Sequence, residues 1–98
     1  MSVKSMFDFK FPAAGREEGV ALAEAVGHDM PPLAGCEGYE IIQDVADPGH
    51  VMVNTQWASQ EMANTALSHY QHDAKIKRAT ELMGAPSPGF VGNIRVKV

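Results

Sequence analysis

The sequence predicts a single α+β domain whose elements follow the order β-α-β-β-α-β. Two observations lead to this fold class: stretches with the two-residue period of a β-strand alternate with stretches of helical spacing, and turn or capping residues separate them. The clearest case is residues 50–67. Residues 51–57 alternate as a strand and end on Trp57, and helical spacing begins at once, with Ser59 as a good N-cap.

The composition fits one domain covering residues 1–98. The hydrophobic fraction of 45% argues against disorder, and the net charge of −4 gives no basic surface for nucleic acid. No apolar run approaches the roughly 20 residues that cross a bilayer, and the N-terminus lacks the continuous apolar core of a signal peptide. The single cysteine, Cys36, excludes an intramolecular disulfide and a thiolate zinc site. We therefore expect a cytoplasmic protein without nucleic-acid or membrane partners.

The first half of the chain contains two predicted strands and one helix. Residues 3–11 alternate as a strand, which Pro12 ends because proline lacks the backbone N–H. A helix is predicted over residues 15–29 and a second strand over residues 39–45. The Asp-Pro-Gly sequence at 47–49 is a strong turn signal that joins this strand to the third as a hairpin.

The second helical region is long and is expected to be interrupted. Residues 68–71 break or kink it, and residues 72–83 resume it. Gly84 follows as a good C′ residue, and the two prolines after it prevent continuation. Residues 90–98 alternate again and are predicted to form the last strand.

This element order is the split βαβ, or ferredoxin-like, arrangement, in which four strands form an antiparallel sheet with helices on one face. The opposite sheet face is expected to carry four apolar side chains among polar ones: Met6, Ile42, Met52 and Val91. Such a face is too apolar to be left in water, and pairing two sheets face to face would cover it. We therefore expect a homodimer that forms a dimeric α/β barrel.

Four short stretches resemble the antibiotic biosynthesis monooxygenase family, within the larger group of dimeric α/β-barrel proteins. They are F-P-A-A-G-R-E-E before the first helix, G-C-E-G-Y-E at the second strand, D-P-G-H before the third strand and Q-W-A-S-Q-E-M-A after it. The resemblance covers nearly the whole chain and implies a dimeric ferredoxin-like fold. It also implies a range of activities: many members oxygenate an aromatic or quinol substrate without metal or flavin, and others degrade haem or have no known reaction.

The chain departs from the haem-degrading branch of this family at three positions. That branch uses an Asn on the first strand, a Trp on the helix after the third strand and a His further on, where a gap-free comparison places Phe7, Ala66 and Ile76. None of these can ligate haem, so we expect no cofactor. Many other members carry a His at the position of Ala66, which puts the usual family chemistry in question as well.

The candidate proton carriers are His69, Tyr70 and His72, because imidazole titrates near neutral pH. If this stretch were helical throughout, His69 and His72 would share a face. The alternative is that all three are ordinary surface or junction residues. No third ligand accompanies the two histidines, so we expect no metal site.

The candidate substrate-binding residues are those expected to surround an apolar pocket between sheet and helices: Phe7, Phe9, Trp57, Met62 and Ala66. Trp57 is interpreted either as a core aromatic or as a wall for a flat ligand. Met62 and Ala66 lie four apart on the helix after Trp57 and are expected to lean over the same pocket.

Two functional hypotheses follow. One is a cofactor-independent monooxygenase that acts on a small aromatic or quinol-type substrate. The other is a noncatalytic small-molecule-binding or accessory protein of the same fold. No P-loop, dinucleotide fingerprint or hydrolase elbow is present to support phosphate transfer, dinucleotide binding or triad hydrolysis.

Overall fold

The computed structural model describes residues 2–97 and has the predicted order of elements. The four strands are β1 (Val3–Lys10), β2 (Cys36–Gln43), β3 (His50–Trp57) and β4 (Gly89–Asn93). The three helices are α1 (Arg16–His28), α2 (Gln60–Tyr70) and α3 (Ala74–Met83). The ferredoxin-like α+β class predicted from the sequence is therefore confirmed.

The strands form one antiparallel sheet in the order β2-β3-β1-β4. In the central pair, Val3 lies opposite Trp57 and Phe9 opposite Val51. Because side chains alternate across a strand, the odd-numbered residues of β1 and β3 share one sheet face, and the helices pack on it. The predicted placement of the β1 phenylalanines and Trp57 on one face is thus correct.

Capping residues explain where the helices begin and end. The Ser59 hydroxyl accepts a hydrogen bond from the Met62 N–H at 3.2 Å and starts α2, as predicted. The Asp73 carboxylate accepts from the Lys75 N–H at 2.8 Å and starts α3. Gly84 ends α3 with φ of 76°, a left-handed conformation that glycine adopts at no steric cost. The long helical region is consequently two helices.

The predicted bounds of two strands were wrong by two residues or more. The second strand begins at Cys36 rather than residue 39 and ends at Gln43, with an irregularity between Cys36 and Gly38. The last strand ends at Asn93, because Asn93 pairs with Val3, the first residue of β1, and no strand residue lies beyond it to pair with. Residues 94–97 are therefore outside the sheet, and Val98 lies outside the described residues.

The sheet face opposite the helices is uncovered in the single chain. It carries Met6, Ile42 and Met52 as predicted, but Val91 was misplaced: it pairs with Ser5 and packs against the core on the helix side. Its neighbour Phe90 pairs with Met6 and is 61% exposed. None of the helices within residues 2–97 combines the length and apolar character needed to cross a membrane.

Candidate functional site

A cavity of about 190 Å³ lies between the sheet and all three helices. The buried side chains of the helix-facing sheet surface form two clusters, one around Trp57 and one around Phe9 and Phe11. The cavity lies where these clusters meet, since Met30 of the first and Val53 of the second both line it. Its lining consists of Ser5, Phe7, Phe9, Val26, Met30, Val53, Thr55, Leu67, Tyr70, Gln71, Ile76, Thr80, Pro86 and Ser87.

The size of the cavity limits what it can hold. Sites for drug-sized ligands usually measure about 300–1,000 Å³, whereas an engineered cavity of about 150 Å³ in another protein accommodates benzene. At about 190 Å³, this cavity fits a ligand with a single ring and small substituents. Most of its lining is apolar, so such a ligand would be largely removed from water.

Among the lining residues that the structure describes, Tyr70 is the only one with an ionisable side chain. It is buried at the end of α2, and burial raises the pKa of its phenol above the ordinary value. The carboxylates of Asp29 and Asp73 raise this pKa further, while the Lys75 ammonium opposes them. Tyr70 therefore keeps its proton at neutral pH and can donate a hydrogen bond.

The segment after α3 borders one side of the cavity and is tied to β1. The Ser87 hydroxyl donates to the Asp8 carbonyl at 2.7 Å, and the Asp8 N–H donates to the Pro88 carbonyl at 2.8 Å. On the opposite sheet face, the His50 ring lies between the carboxylates of Asp8 and Asp44. Hydrogen bonds to these carboxylates, Asp44 first, raise the pKa of His50.

The structure brings together three of the eight predicted site residues. Phe7, Phe9 and Tyr70 line the cavity. Trp57 does not, because it is completely buried in the core, where its Nε1–H donates to the Ser5 hydroxyl at 3.0 Å. Of the two interpretations of Trp57, the structure agrees with the core aromatic.

The expectation that Met62 and Ala66 lean over the same pocket was wrong. Together with His69 they border a separate groove, formed by α2 and the loop containing Leu33 and Ala34. Ala66 packs into the Trp57 cluster, and its neighbour Leu67 faces the cavity instead. A tryptophan at position 66 would therefore disturb the core rather than fill the cavity.

The two histidines do not form a pair on one helical face. Helix α2 ends at Tyr70, so His69 lies in its last turn and His72 in the connection to α3. Both are exposed, and neither lines the cavity. Residues 2–97 contain no group of three or more His, Cys, Asp or Glu side chains that could hold a metal ion.

Sequence reasoning missed the two hydroxyl residues of the sheet face, Ser5 and Thr55. They are register partners on adjacent strands, each 1% exposed, and both line the cavity. The alternation that placed Phe7 and Trp57 on the helix side also places Ser5 and Thr55 there. Two polar residues on an otherwise apolar strand face were the signal in the sequence from which they could have been identified.

This structure defines a class of protein: a small split-βαβ sheet, covered by helices on one face, with an apolar, ligand-sized cavity between the layers. A sequence model of the antibiotic biosynthesis monooxygenase family matches residues 3–80, most of the chain. The chain belongs to the antibiotic biosynthesis monooxygenase family, as its motifs indicated. Pro86, Ser87 and β4 lie beyond the matched region.

Solved structures of low sequence identity share the fold over nearly their whole length. Rv0793 from Mycobacterium tuberculosis is 16% identical, with a TM-score of 0.76 and coverage of 99% of this chain and 98% of that one. A candidate antibiotic biosynthesis monooxygenase from Deinococcus radiodurans is 15% identical, with a TM-score of 0.78 and coverage of 98% and 95%. Another, from Chloroflexus aurantiacus, is 19% identical, with a TM-score of 0.66 and coverage of 100% and 96%. No curated protein matches the sequence.

Proposed function

We propose that this protein is a cofactor-independent monooxygenase that oxidises a small phenol- or quinol-type substrate in the cavity between sheet and helices. Membership of a monooxygenase family supports the reaction class. The observation that carries the choice of substrate is the cavity itself, whose volume of about 190 Å³ and largely apolar lining suit one aromatic ring.

The overall reaction needs no reductant. A phenol with a free ring position reacts with O₂ to give a quinone and water: the ring loses four electrons, one oxygen atom of O₂ becomes the new carbonyl, and the other leaves as water. The reaction starts when the substrate phenolate transfers an electron to O₂. The resulting radicals combine at the ring carbon as a peroxide anion. Loss of the proton on that carbon and cleavage of the O–O bond form the quinone carbonyl, and the outer oxygen leaves as hydroxide, which becomes water with the proton that the phenol released. The protein contributes orientation and exclusion of water.

Of the three predicted proton carriers, Tyr70 alone lines the cavity, and we propose that it acts there as a hydrogen-bond donor. Its raised pKa keeps the phenol protonated, so Tyr70 can donate a hydrogen bond inside the cavity but does not remove a proton from the substrate. His69 and His72 face solvent outside the cavity. The substrate therefore enters as the phenolate, having lost its proton to solvent.

Oxygen uptake by the purified protein tests the proposal. Single-ring phenols and quinols, offered without added cofactor, should consume O₂ faster than they autoxidise, with one atom of ¹⁸O₂ appearing in the quinone. The rate should rise with pH in step with the pKa of each phenol, because the anion reacts. The Tyr70→Phe variant keeps the aromatic ring and removes the phenol O–H, so it separates a hydrogen-bonding role of Tyr70 from a packing role. Uptake that never exceeds autoxidation, for phenols shown to bind, would contradict the proposal and favour the noncatalytic hypothesis.

We also propose that the open sheet face pairs with a second copy of the chain. It presents Phe90 and Ile42, which are 61% and 48% exposed, beside Met6 and Met52. At its centre, Asn54 is 8% exposed, and its buried Oδ1 atom has no hydrogen-bond partner within residues 2–97. Buried amide oxygens are rarely left unpaired, and a turn of the Asn54 side chain toward a second sheet would give this oxygen a donor. Lysines and glutamates flank the face, which suits self-association through opposite charges.

The dimer is tested by replacing Phe90 with glutamate. Light scattering should give about twice the 10.6 kDa chain mass for the original protein and the single-chain mass for Phe90→Glu, because a charge enclosed in an apolar interface is not solvated. Val45→Glu is the matched control, since Val45 is fully exposed in the β2–β3 turn, away from the face. A Phe90→Glu variant that stays dimeric, or an original protein that is monomeric at high concentration, would remove the model.

A further inference from the structure

We propose that the hydroxyls of Ser5 and Thr55 form a subsite that binds an oxygen atom of the ligand at the sheet side of the cavity, with Trp57 as the residue that positions the Ser5 hydroxyl. The inference deepens the proposed function, on which it rests for the nature of the substrate. It concerns binding, however, and can be tested without turnover.

The two hydroxyls are brought together by the register of the central strands. Ser5 on β1 lies directly opposite Thr55 on β3, and both side chains point to the face that the helices cover. Directly opposed residues of antiparallel strands have Cβ atoms about 4.5–5.5 Å apart, so one ligand atom can contact both hydroxyls. Both line the cavity, and each is 1% exposed.

Trp57 determines which way the Ser5 hydroxyl can act. The indole N–H is only a donor, and it occupies an acceptor position on the Ser5 oxygen at 3.0 Å. The Ser5 proton must therefore turn away from Trp57, and it donates to no protein acceptor within residues 2–97. Buried hydroxyls normally have a partner, which leaves Ser5 available to a ligand acceptor.

The other aliphatic hydroxyls in the lining are already committed to backbone carbonyls. Thr80 donates to the Ile76 carbonyl at 2.9 Å, and Ser87 donates to the Asp8 carbonyl at 2.7 Å. The side-chain hydrogen bonds within residues 2–97 include none from the Thr55 hydroxyl. Unlike Thr80 and Ser87, Ser5 and Thr55 therefore have hydroxyl protons that remain free to be donated to a ligand.

The chemistry of the subsite indicates the class of ligand. Two neutral hydroxyls can donate to a phenol, phenolate or quinone oxygen, whereas Phe7, Phe9 and Val53 beside them offer only apolar contact. Among the described lining residues there is no Lys or Arg to bind a carboxylate or phosphate. A ring with one oxygen substituent directed at Ser5 and Thr55 satisfies both parts of the cavity.

A comparison of p-cresol with p-xylene tests the subsite, because the two molecules have similar shapes and differ by a hydroxyl in place of a methyl group. The dissociation constant of each is measured by NMR titration, and the ratio of p-xylene to p-cresol is the readout. Thr55→Val and Ser5→Ala should each lower this ratio about threefold to tenfold, the effect of one lost hydrogen bond, by weakening p-cresol binding alone. Thr80→Val removes an equivalent but committed hydroxyl and should leave the ratio unchanged.

Trp57→Phe tests the positioning role, since it keeps an aromatic ring in the core but removes the N–H. The ratio should fall while p-xylene affinity stays the same. An unchanged ratio of dissociation constants in both Thr55→Val and Ser5→Ala would overturn the subsite. If Ser5→Ala does not fold, Thr55→Val alone decides whether the subsite exists, because valine nearly preserves the shape of the threonine side chain. If the original protein prefers p-cresol and the variants lose that preference, but no oxygen uptake is found, the subsite stands and the proposed monooxygenase activity is overturned.

Discussion

Replacing Trp57 with alanine is expected to remove about 3–5 kcal/mol from the free energy of unfolding, the usual cost of truncating a large buried aromatic. Trp57 is completely buried and packs with Val3, Val26, Met30 and Ala63. The substitution leaves a cavity that the sheet and two helices cannot collapse to fill. Small domains are stable by only about 5–15 kcal/mol, so much of the folded population would be lost.

Urea denaturation followed by circular dichroism measures this effect. Trp57→Phe is the matched control: it keeps an aromatic ring in the core and loses the hydrogen bond to Ser5, at a cost on the order of 1 kcal/mol in hydrogen bonding, together with a smaller part of the buried area than Trp57→Ala. If Trp57→Ala lost less than about 1 kcal/mol, Trp57 would not be the central core residue that its burial indicates.

Replacing Ile76 with tryptophan is expected to lower kcat/KM for single-ring substrates about 5-fold to 150-fold. This range corresponds to a cost of roughly 1–3 kcal/mol for fitting the substrate into a cavity that the indole overpacks. Ile76 lies on α3, is half-buried and lines the cavity. A larger side chain there can fold into the cavity and occupy the space that the ligand needs, while its partly exposed position limits the damage to the core.

The matched control places the same indole on the side of α2 that faces away from the cavity. Met62 is 42% exposed and borders the separate groove beside Leu33, so Met62→Trp should leave substrate binding unchanged. The pair of variants distinguishes the two concavities. If Met62→Trp abolished binding while Ile76→Trp did not, the groove with His69 would be the ligand site. Thermal melts of both variants separate a blocked cavity from an unfolded protein.

Local signals in the sequence determined most of the fold. The alternation of residues 51–57, the cap at Ser59 and the glycine at Gly84 each act within a few residues of the chain, and each is found in the structure as predicted. The same alternation placed the phenylalanines of β1 and Trp57 on one sheet face. Family membership likewise followed from short motifs that the chain itself carries.

Only the tertiary structure decided which of these residues surround the cavity. The rotation of α2 about its axis is set by Ala63 and Ala66 packing near Trp57, and it turns Leu67 and Tyr70, not Met62, toward the cavity. Four-residue spacing shows that two side chains share a helix face, but not which neighbour that face meets. The end of β4 at Asn93 depends on where its partner strand begins. The pairing of Ser5 with Thr55 depends on strand register, which joins residues fifty positions apart through the packing of the whole sheet.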